Sequence, residues 1–449
     1  MGRNLEGIFK AYDIRGIYPS ELDEEIAYRI GAAFARFVGA DRIAVGRDMR
    51  VSSPSLAEAF SKGVCDSGRK VIDLGEVSTD ALYFASGRLN VPGAMFTASH
   101  NPAEYNGIKL CREQAIPVGS DTGMAEIRAL AESDEEIAPE GPPGTIESRD
   151  ILEEYSRHCR SFIDPSVLKP LKIAIDAGNG MAGKTVPIVF SELPFEVVPL
   201  FFELDGTFPN HPANPIEAEN LVDLQKAVVD EGCVAGLAFD GDADRVFLVD
   251  EKAEPVTGSL TTALVAERLL KKNPGETVLY NLICSRVVPE VIKENGGVPV
   301  RTRVGHSFIK KIMAETGAIF GGEHSGHYYF RDNFRADSGM IAALIALEAM
   351  SEASKPLSEL LKPFKRYFNS GEINSVVKDQ QAVLKKLAAK YSDGEQDWTD
   401  GLTVDYPDWW FNCRASNTEP LLRLNLEANT EDLMQEKRDE VLALIREES

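Results

Sequence analysis

Through the first 360 or so residues, short apolar runs alternate with stretches of helical periodicity, and this rhythm limits the chain to a few architectures. Strand-like runs occur at residues 42–45, 70–74, 93–97, 171–175, 195–201, 234–239, 246–249 and 277–281. Between them, helical spacing is predicted over 121–131, 218–231, 259–271, 286–295 and 307–315, with another helix opening after Ser53 and Pro54. The first helix is read from Leu22, Ile26, Ile30, Phe34 and Phe37, with Ser20 and Asp23 spaced as a capping box. Alternation of this kind calls for mostly parallel sheets with helices on their faces.

At residues 132–145 the run SDEE is followed by PEGPPG, where like charges and three prolines exclude a packed element, and the first boundary is placed there. The expected units are residues 1–145, 146–249 and 250–363, all α/β. From residue 364 the pattern changes: strands predicted at 372–377, 402–405, 409–413 and 421–428 surround one helix and precede a last one, an α+β layout over 364–449. Three α/β units of similar size hint at an internal repeat, without self-similarity at the residue level.

Charge removes several functions. The 449 residues carry 48 Lys and Arg against 71 Asp and Glu, a formal net charge of −23. A surface that replaces phosphate counterions along a nucleic acid needs the opposite balance, though one local basic pocket for a small phosphate is still allowed. There is no apolar run of the length needed to span a bilayer. The opening MGRNLEGIFKAYD has no secretory h-region, and Glu6 stands where a myristoylation signal would have Ser or Thr. A cytoplasmic protein is the expectation. The six cysteines (Cys65, Cys111, Cys159, Cys233, Cys284 and Cys413) form no C-x-x-C pair and read as reduced, buried thiols.

Five segments could carry chemistry. Thr97-Ala98-Ser99-His100-Asn101-Pro102 follows a predicted strand, where open α/β sheets place ligands, and no G-x-S-x-G exists to make Ser99 an acyl-transfer nucleophile. Asp240-Gly241-Asp242-Ala243-Asp244-Arg245 follows another strand. Two like charges about 4 Å apart repel by roughly 4 kcal/mol at an effective dielectric near 20. Three carboxylates in one turn therefore want a hard divalent cation such as Mg²⁺. An EF-hand running to Glu251 fails, because Arg245 replaces the glycine of its sharp turn and a strand follows. Gly178-Asn179-Gly180-Met181-Ala182-Gly183 matches G-x-G-x-x-G, with Glu203 and Asp205 downstream. A dinucleotide site and a plain tight turn have equal standing there. Gly321-Gly322-Glu323-His324-Ser325-Gly326-His327 suits carbohydrate hydroxyls better than zinc, since His324 and His327 have no HExxH or cysteine partner. Arg414-Ala415-Ser416-Asn417-Thr418-Glu419-Pro420, with Arg423 beyond, makes a compact anion cradle.

Taken in order, FKAYDIRG, TASHNP, DGDADR, GEHSGH and RASNTEP resemble the α-D-phosphohexomutase superfamily, closest to its phosphomannomutase/phosphoglucomutase branch, over essentially the whole chain. The resemblance implies a heart-shaped enzyme of three related α/β domains with mixed, mostly parallel sheets, plus a C-terminal α+β domain of the TATA-binding-protein-like type. One loop from each domain would meet in a central cleft: phosphoserine, metal, sugar-binding and phosphate-binding. Ser99 would be the phosphorylated serine, and Asp240, Asp242 and Asp244 would hold one Mg²⁺ against it. Glu323 and Ser325, with His327 in the same loop, would grip sugar hydroxyls, and Arg414, Ser416, Asn417 and Thr418 the substrate's other phosphate, with Arg423 a weaker neighbour. Arg15, His100, Lys109, Arg245 and His306 match positions around the transferring group, Lys109 and His306 being candidates for proton transfer, while Tyr12 and Asn101 shape the same wall.

The implied reaction interconverts hexose 1-phosphate and hexose 6-phosphate, of mannose and/or glucose, through a hexose 1,6-bisphosphate, with the last domain closing as a lid. His324, Ala415 and Ile283 depart from common family residues, and the first and last of these leave the sugar preference open. The implied partner is a small phosphosugar, without nucleic acid or membrane, in a monomer or small homo-oligomer. Three alternatives stand beside this reading: a nucleotide-linked sugar-phosphate oxidoreductase built on GNGMAG, a phosphoglucosamine mutase of the same superfamily, and a phosphosugar-binding protein without turnover. The glucosamine branch usually has Gly at the position of Asn417.

Overall fold

The computed structural model describes residues 4–133, 141–415 and 421–447, with His306 and Ser307 described by their backbone alone. The strands form four sheets, three of them mixed and one antiparallel, and so bear out the expected fold class.

In the first sheet the strands lie in the order Ile14–Ile17, Tyr105–Cys111, Gly93–Phe96, Arg42–Arg47, Lys70–Glu76 and Ile146–Ser148. The last four run parallel, Tyr105–Cys111 runs antiparallel to them, and Ile14–Ile17 pairs antiparallel with Tyr105–Cys111 at the edge. Ile146–Ser148 lies beyond the expected boundary at residue 145 yet pairs with Lys70–Glu76, so the first sheet extends past that boundary. The second sheet runs Pro255–Val256, Val246–Asp250, Ala235–Phe239, Leu171–Asp176 and Phe195–Leu200. Pro255–Val256, expected in the third unit, closes this sheet instead by pairing with Val246–Asp250.

The third sheet comprises Val298–Thr302, Thr277–Asn281, Phe320–Gly322 and Tyr328–Phe330. The fourth, from Phe368–Val376 through Leu421–Ala428, Trp409–Ala415 and Leu402–Asp405 to Glu395–Asp397, is antiparallel throughout. Its own core includes Leu402, Phe411, Leu424 and Ile445, and the helices Gln380–Lys390 and Glu431–Arg446 pack on it.

Two helix starts differ from the expected ones. Asp23, not Ser20, caps Glu24–Val38, its carboxylate accepting from the Ile26 N–H at 2.8 Å. Ser20 stays in a turn. The buried stripe Ile26, Ile30 and Phe34 explains the helix, each side chain contributing about 1.5–3 kcal/mol on burial. The helix expected from residue 121 begins as regular α-helix only at Ala125, because Gly123 sits at φ +131° and interrupts the turn before it. Part of the charged and proline-rich stretch, residues 134–140, lies outside the described residues. Among the described residues no helix is long and apolar enough to cross a membrane. All six cysteines are free and buried, as expected.

The largest core joins the second and third units and part of the first. At its centre Gly339–Ala353 is buried on nearly every face. On this helix Glu348 is fully buried and satisfied by Lys272 at 2.8 and 2.9 Å, Arg268 at 3.4 Å and the Asp164 N–H at 2.7 Å. The first three units, packed together in this way, carry the Ser99, Asp240 and Glu323 loops described next.

Candidate active site

Sheet topology puts three of the chemical segments in reversals between paired antiparallel strands. The Ser99 loop turns the chain from Gly93–Phe96 back into Tyr105–Cys111. Residues 240–245 turn Ala235–Phe239 into Val246–Asp250, and residues 323–327 turn Phe320–Gly322 into Tyr328–Phe330. Each is a reversal between antiparallel neighbours, so every loop projects its side chains from one end of its sheet.

The first two loops meet. Ser99 Oγ donates to Asp240 Oδ2 at 2.7 Å, with His100 Nδ1 at 3.2 Å and Arg245 Nη2 at 3.3 Å. Arg245 also gives Nε to Asp240 at 2.9 Å and Nη2 to His100 Nδ1 at 2.6 Å. Burial, then the charges of Arg245 and Arg15, push the His100 imidazole well below its usual pKa, so as a neutral ring it accepts the hydrogen bond that the guanidinium donates. Lys109, projecting from the antiparallel strand that the sequence pattern missed, reaches Asp242 at 2.7 Å and Asp244 at 2.6 Å. Burial works against its charge, but the two carboxylates outweigh that and hold it well above its ordinary pKa. Held in this way, Lys109 can neutralise charge or give a proton.

Asp240, Asp242 and Asp244 bring carboxylate oxygens within 4.8 Å of one another, and all three side chains are buried. Three carboxylates face two cations, Lys109 and Arg245. The imbalance shows in Asp240, whose pKa burial raises to about 7 even though Arg245 opposes the shift. Asp242 goes the other way: burial would raise it, but Lys109 and the Thr79 hydroxyl at 2.6 Å bring it well below the usual range. Asp242 Oδ1 and Asp244 Oδ1 are buried without a hydrogen-bond partner. Hard oxygen donors, surplus negative charge and orphaned lone pairs together fit a divalent cation such as Mg²⁺.

The sugar-type loop touches this network through His327, whose Nδ1 lies 2.9 Å from Asp337 Oδ2 and 3.8 Å from Asp244 Oδ1. Lys310 holds the other Asp337 oxygen at 2.9 Å. Glu323 is buried and oriented by the Tyr329 hydroxyl at 2.7 Å, the Asn281 amide at 3.2 Å and the Gly305 N–H at 3.2 Å. Ser325 is half-buried in the same loop. His324 Nδ1 lies 3.3 Å from Ser259 Oγ while His327 turns to Asp337, so the two imidazoles do not share a zinc.

A cavity of about 1440 Å³ is lined by Tyr12, Arg15 and Asn101 on one side and by Arg414 and Arg423 on another. Arg15 fixes Asn101 Oδ1 at 2.7 Å. Glu372 bridges the two arginines, at 2.5 Å from Arg414 and 3.1 Å from Arg423, and keeps their like charges in register across neighbouring strands. Ser99 and the acidic triad do not line the cavity; Asn101, two residues on, does. Ser416, Asn417 and Thr418, and the His306 side chain, lie outside the described residues.

GNGMAG is accounted for by packing. A Cβ on Gly180 would meet Gly241 O at 2.6 Å and one on Gly183 would meet Phe202 O at 2.2 Å, while Met181 N–H donates to Gly241 O at 2.8 Å. Its glycines let it support the triad loop and leave no space for a pyrophosphate. Sequence reasoning missed Thr79, Tyr329, Asn281, Asp337, Lys310 and Arg50, which act through the marked loops. Only Arg50, an arginine closing the run IAVGRDMR, carried a usable signal.

Comparison with known proteins gives the family. Four models of the phosphoglucomutase/phosphomannomutase family match in order: alpha/beta/alpha domain I over residues 6–138, domain II over 153–254, domain III over 257–367 and the C-terminal domain over 372–444. A protein described as "Phosphohexose mutases" from Xanthomonas campestris pv. campestris is 43% identical over 443 residues, covering 98% of this chain and 99% of that one. A phosphomannomutase of Escherichia coli is 40% identical over 451 residues, with 98% and 99% covered. The crystal structure of a phosphoglucomutase/phosphomannomutase family protein from Burkholderia thailandensis superposes with a TM-score of 0.90 at 33% identity, covering 98% of this chain and 97% of that one.

Proposed function

The chain belongs to the phosphoglucomutase/phosphomannomutase family and is a hexose-phosphate mutase, and on that premise we propose that it works through phosphorylated Ser99 and a hexose 1,6-bisphosphate. The observation that carries this reading is the setting of Ser99 Oγ, buried between Asp240 and Arg245 beside carboxylates with unpartnered oxygens. A hydroxyl so placed suits phosphoryl transfer, where alignment and charge neutralisation matter more than covalent help.

In the first half-reaction the C6 hydroxyl of hexose 1-phosphate attacks the phosphorus on Ser99. The P–O6 bond forms, the Oγ–P bond breaks, and the hydroxyl proton passes to a base. Arg245 faces the departing Oγ and Lys109 lies beside the same carboxylates as an ammonium, so both oppose the charge that develops there. The base is assigned to His306, with Lys109 the other candidate for proton transfer. Asp240, Asp242 and Asp244, with Ser99, would hold Mg²⁺, whose chemistry is to neutralise the phosphoryl oxygens. Arg414 and Arg423, with the segment 416–418, take the phosphate that is not reacting. The bisphosphate then turns over and returns its other phosphoryl group to Oγ, leaving hexose 6-phosphate.

In a flipped hexose the 3- and 4-hydroxyls nearly exchange places, so Glu323 and Ser325 can hold both poses while the C2 configuration is read weakly. Mannose and glucose phosphates are therefore the assigned substrates. The test is a bisphosphate-primed assay comparing mannose, glucose and glucosamine 1-phosphates on wild type and Ser99→Ala. Conversion of the first two that disappears in Ser99→Ala is expected; turnover retained in the variant removes the nucleophile, and a glucosamine preference removes the sugar assignment. Mg²⁺ added to metal-free protein should raise its thermal midpoint, and no shift would deprive the triad of its role.

A further inference from the structure

Arg50 is among the largest side chains that the fold buries completely, and it makes no contact with the cavity where substrate is expected. Its guanidinium gathers carbonyl oxygens from the whole nucleophile loop. Nη2 donates to Ser99 O at 2.9 Å and Asn101 O at 2.6 Å, and Nη1 to Pro102 O at 2.7 Å and Tyr105 O at 2.9 Å. Nε lies 3.3 Å from Asp48 Oδ2, and the Phe208 ring sits 5.1 Å from the guanidinium carbon.

Ser99 itself stands at φ +49°, a left-handed conformation that a residue with a side chain holds only when its surroundings over-determine it. Two neighbours do so from opposite directions. Gly241 of the triad loop packs so closely that a Cβ there would meet Ser99 O at 2.4 Å, and Arg50 bonds that same carbonyl. With the carbonyl pinned, Oγ is left facing Asp240 and Arg245. Arg50 is in turn held by the second unit: a Cβ on Gly206 would meet Arg50 Cα at 2.5 Å and Met49 O at 2.8 Å.

We propose that Arg50 is the positioning residue for Ser99, its planar fork fixing the strained loop so that Oγ stays aligned for transfer; this rests on the mutase reading above. A lysine cannot reproduce it, because an ammonium is a compact point charge with three donors, whereas four carbonyls spread over seven residues here match a rigid planar fork. A nucleophile misplaced by an ångström costs on the order of a hundredfold in rate. The effect therefore falls on the transfer step and leaves binding at Arg414 and Arg423 alone.

The test compares Arg50→Lys and Gly206→Ala with wild type in bisphosphate-primed conversion of hexose 1-phosphate. Turnover is expressed per mole of enzyme whose Ser99 becomes phosphorylated, counted by intact mass, so that partial misfolding lowers the count and not the rate. The expected result for Arg50→Lys is a kcat per phosphoserine reduced at least 30-fold, with KM within twofold of wild type. Gly206→Ala, which displaces Arg50 without changing its charge, should lose at least threefold in the same way. Phosphate loss from phosphoserine to water should gain relative to transfer in both. Should Arg50→Lys yield no folded protein, Gly206→Ala decides the question alone. A kcat per phosphoserine within twofold of wild type, or a loss carried by KM, overturns the proposal. Absence of conversion by the wild-type enzyme overturns the mutase reading instead.

Discussion

Asp80 is a fully buried carboxylate where three units meet. Ser78 of the first unit bonds one oxygen, and Tyr155 of the second and Ser338 of the third both donate to the other at 2.6 Å. Burial raises its pKa to about 6 despite these three donors. In the unfolded chain the same group titrates near the usual value of about 3.9. Between the two values the folded protein keeps a proton that the unfolded chain has released. Stability from this group accordingly falls as pH rises from about 4 to 6 and does not return above that, a loss of about 3 kcal/mol at most. In Asp80→Asn the amide oxygen can accept from Tyr155 and Ser338 while its NH₂ donates to Ser78 Oγ, so every bond has a replacement. The variant should melt at a higher denaturant concentration than wild type at pH 8 and at nearly the same concentration at pH 4. Equal midpoints at pH 8 would show that Asp80 is not held against its charge.

The helix Glu24–Val38 tests how local signals set an element. Ser20 and Asp23 have capping-box spacing, but the carboxylate that accepts from the helix is that of Asp23, and the sequence offers two caps where the fold uses one. Asp23→Ala should cost about 1 kcal/mol of stability, and Ser20→Ala within a few tenths, measured by denaturant melts. The reverse order would restore the box. Where an apolar stripe is long, spacing alone identifies the element: Ile26, Ile30 and Phe34 mark a helix, and the buried runs at Arg42–Arg47 and Ala235–Phe239 mark strands. Other elements are silent for physical reasons. Gly339–Ala353 is apolar all round, so it has no period to read. Tyr105–Cys111 contains Asn106-Gly107 and looks like a turn, yet it is the strand that delivers Lys109. Phe320–Gly322 and Tyr328–Phe330 have three residues each, too few for any pattern. The candidate site is legible at the loops because Ser99, Asp240, Asp242 and Asp244 carry their chemistry in their own side chains. Thr79 and Asn281 act through contacts across many residues, which no local pattern encodes.

On the scale of the whole molecule, the fourth unit has its own core and is joined to the rest by Phe364 and Tyr367, which pack on the large core, and by polar contacts to the third unit. Arg286 makes five of them: its guanidinium donates to Pro407 O at 3.0 Å, Trp409 O at 3.1 Å, Tyr406 O and the Asp405 carboxylate, and its N–H to Glu427 at 3.0 Å. Nearer the cavity, Arg301 pairs with Asp397 at 3.4 Å and Val304 N–H with Asp400 at 3.2 Å. Because Arg414 and Arg423 lie on this unit, its angle to the rest sets the distance between the phosphate cradle and the Ser99 loop. On the phosphoserine mechanism proposed above, water must be kept out during transfer, so the hold on this unit would govern how well the cleft closes. Arg286→Ala removes the densest contact without touching any cavity wall. It should enlarge the radius of gyration of the ligand-free protein and raise KM for hexose 1-phosphate about fivefold or more. The hold acts before chemistry, so kcat at saturation should change less than KM. Unchanged scattering together with an unchanged KM would mean that the cores, not Arg286, set the angle between the units.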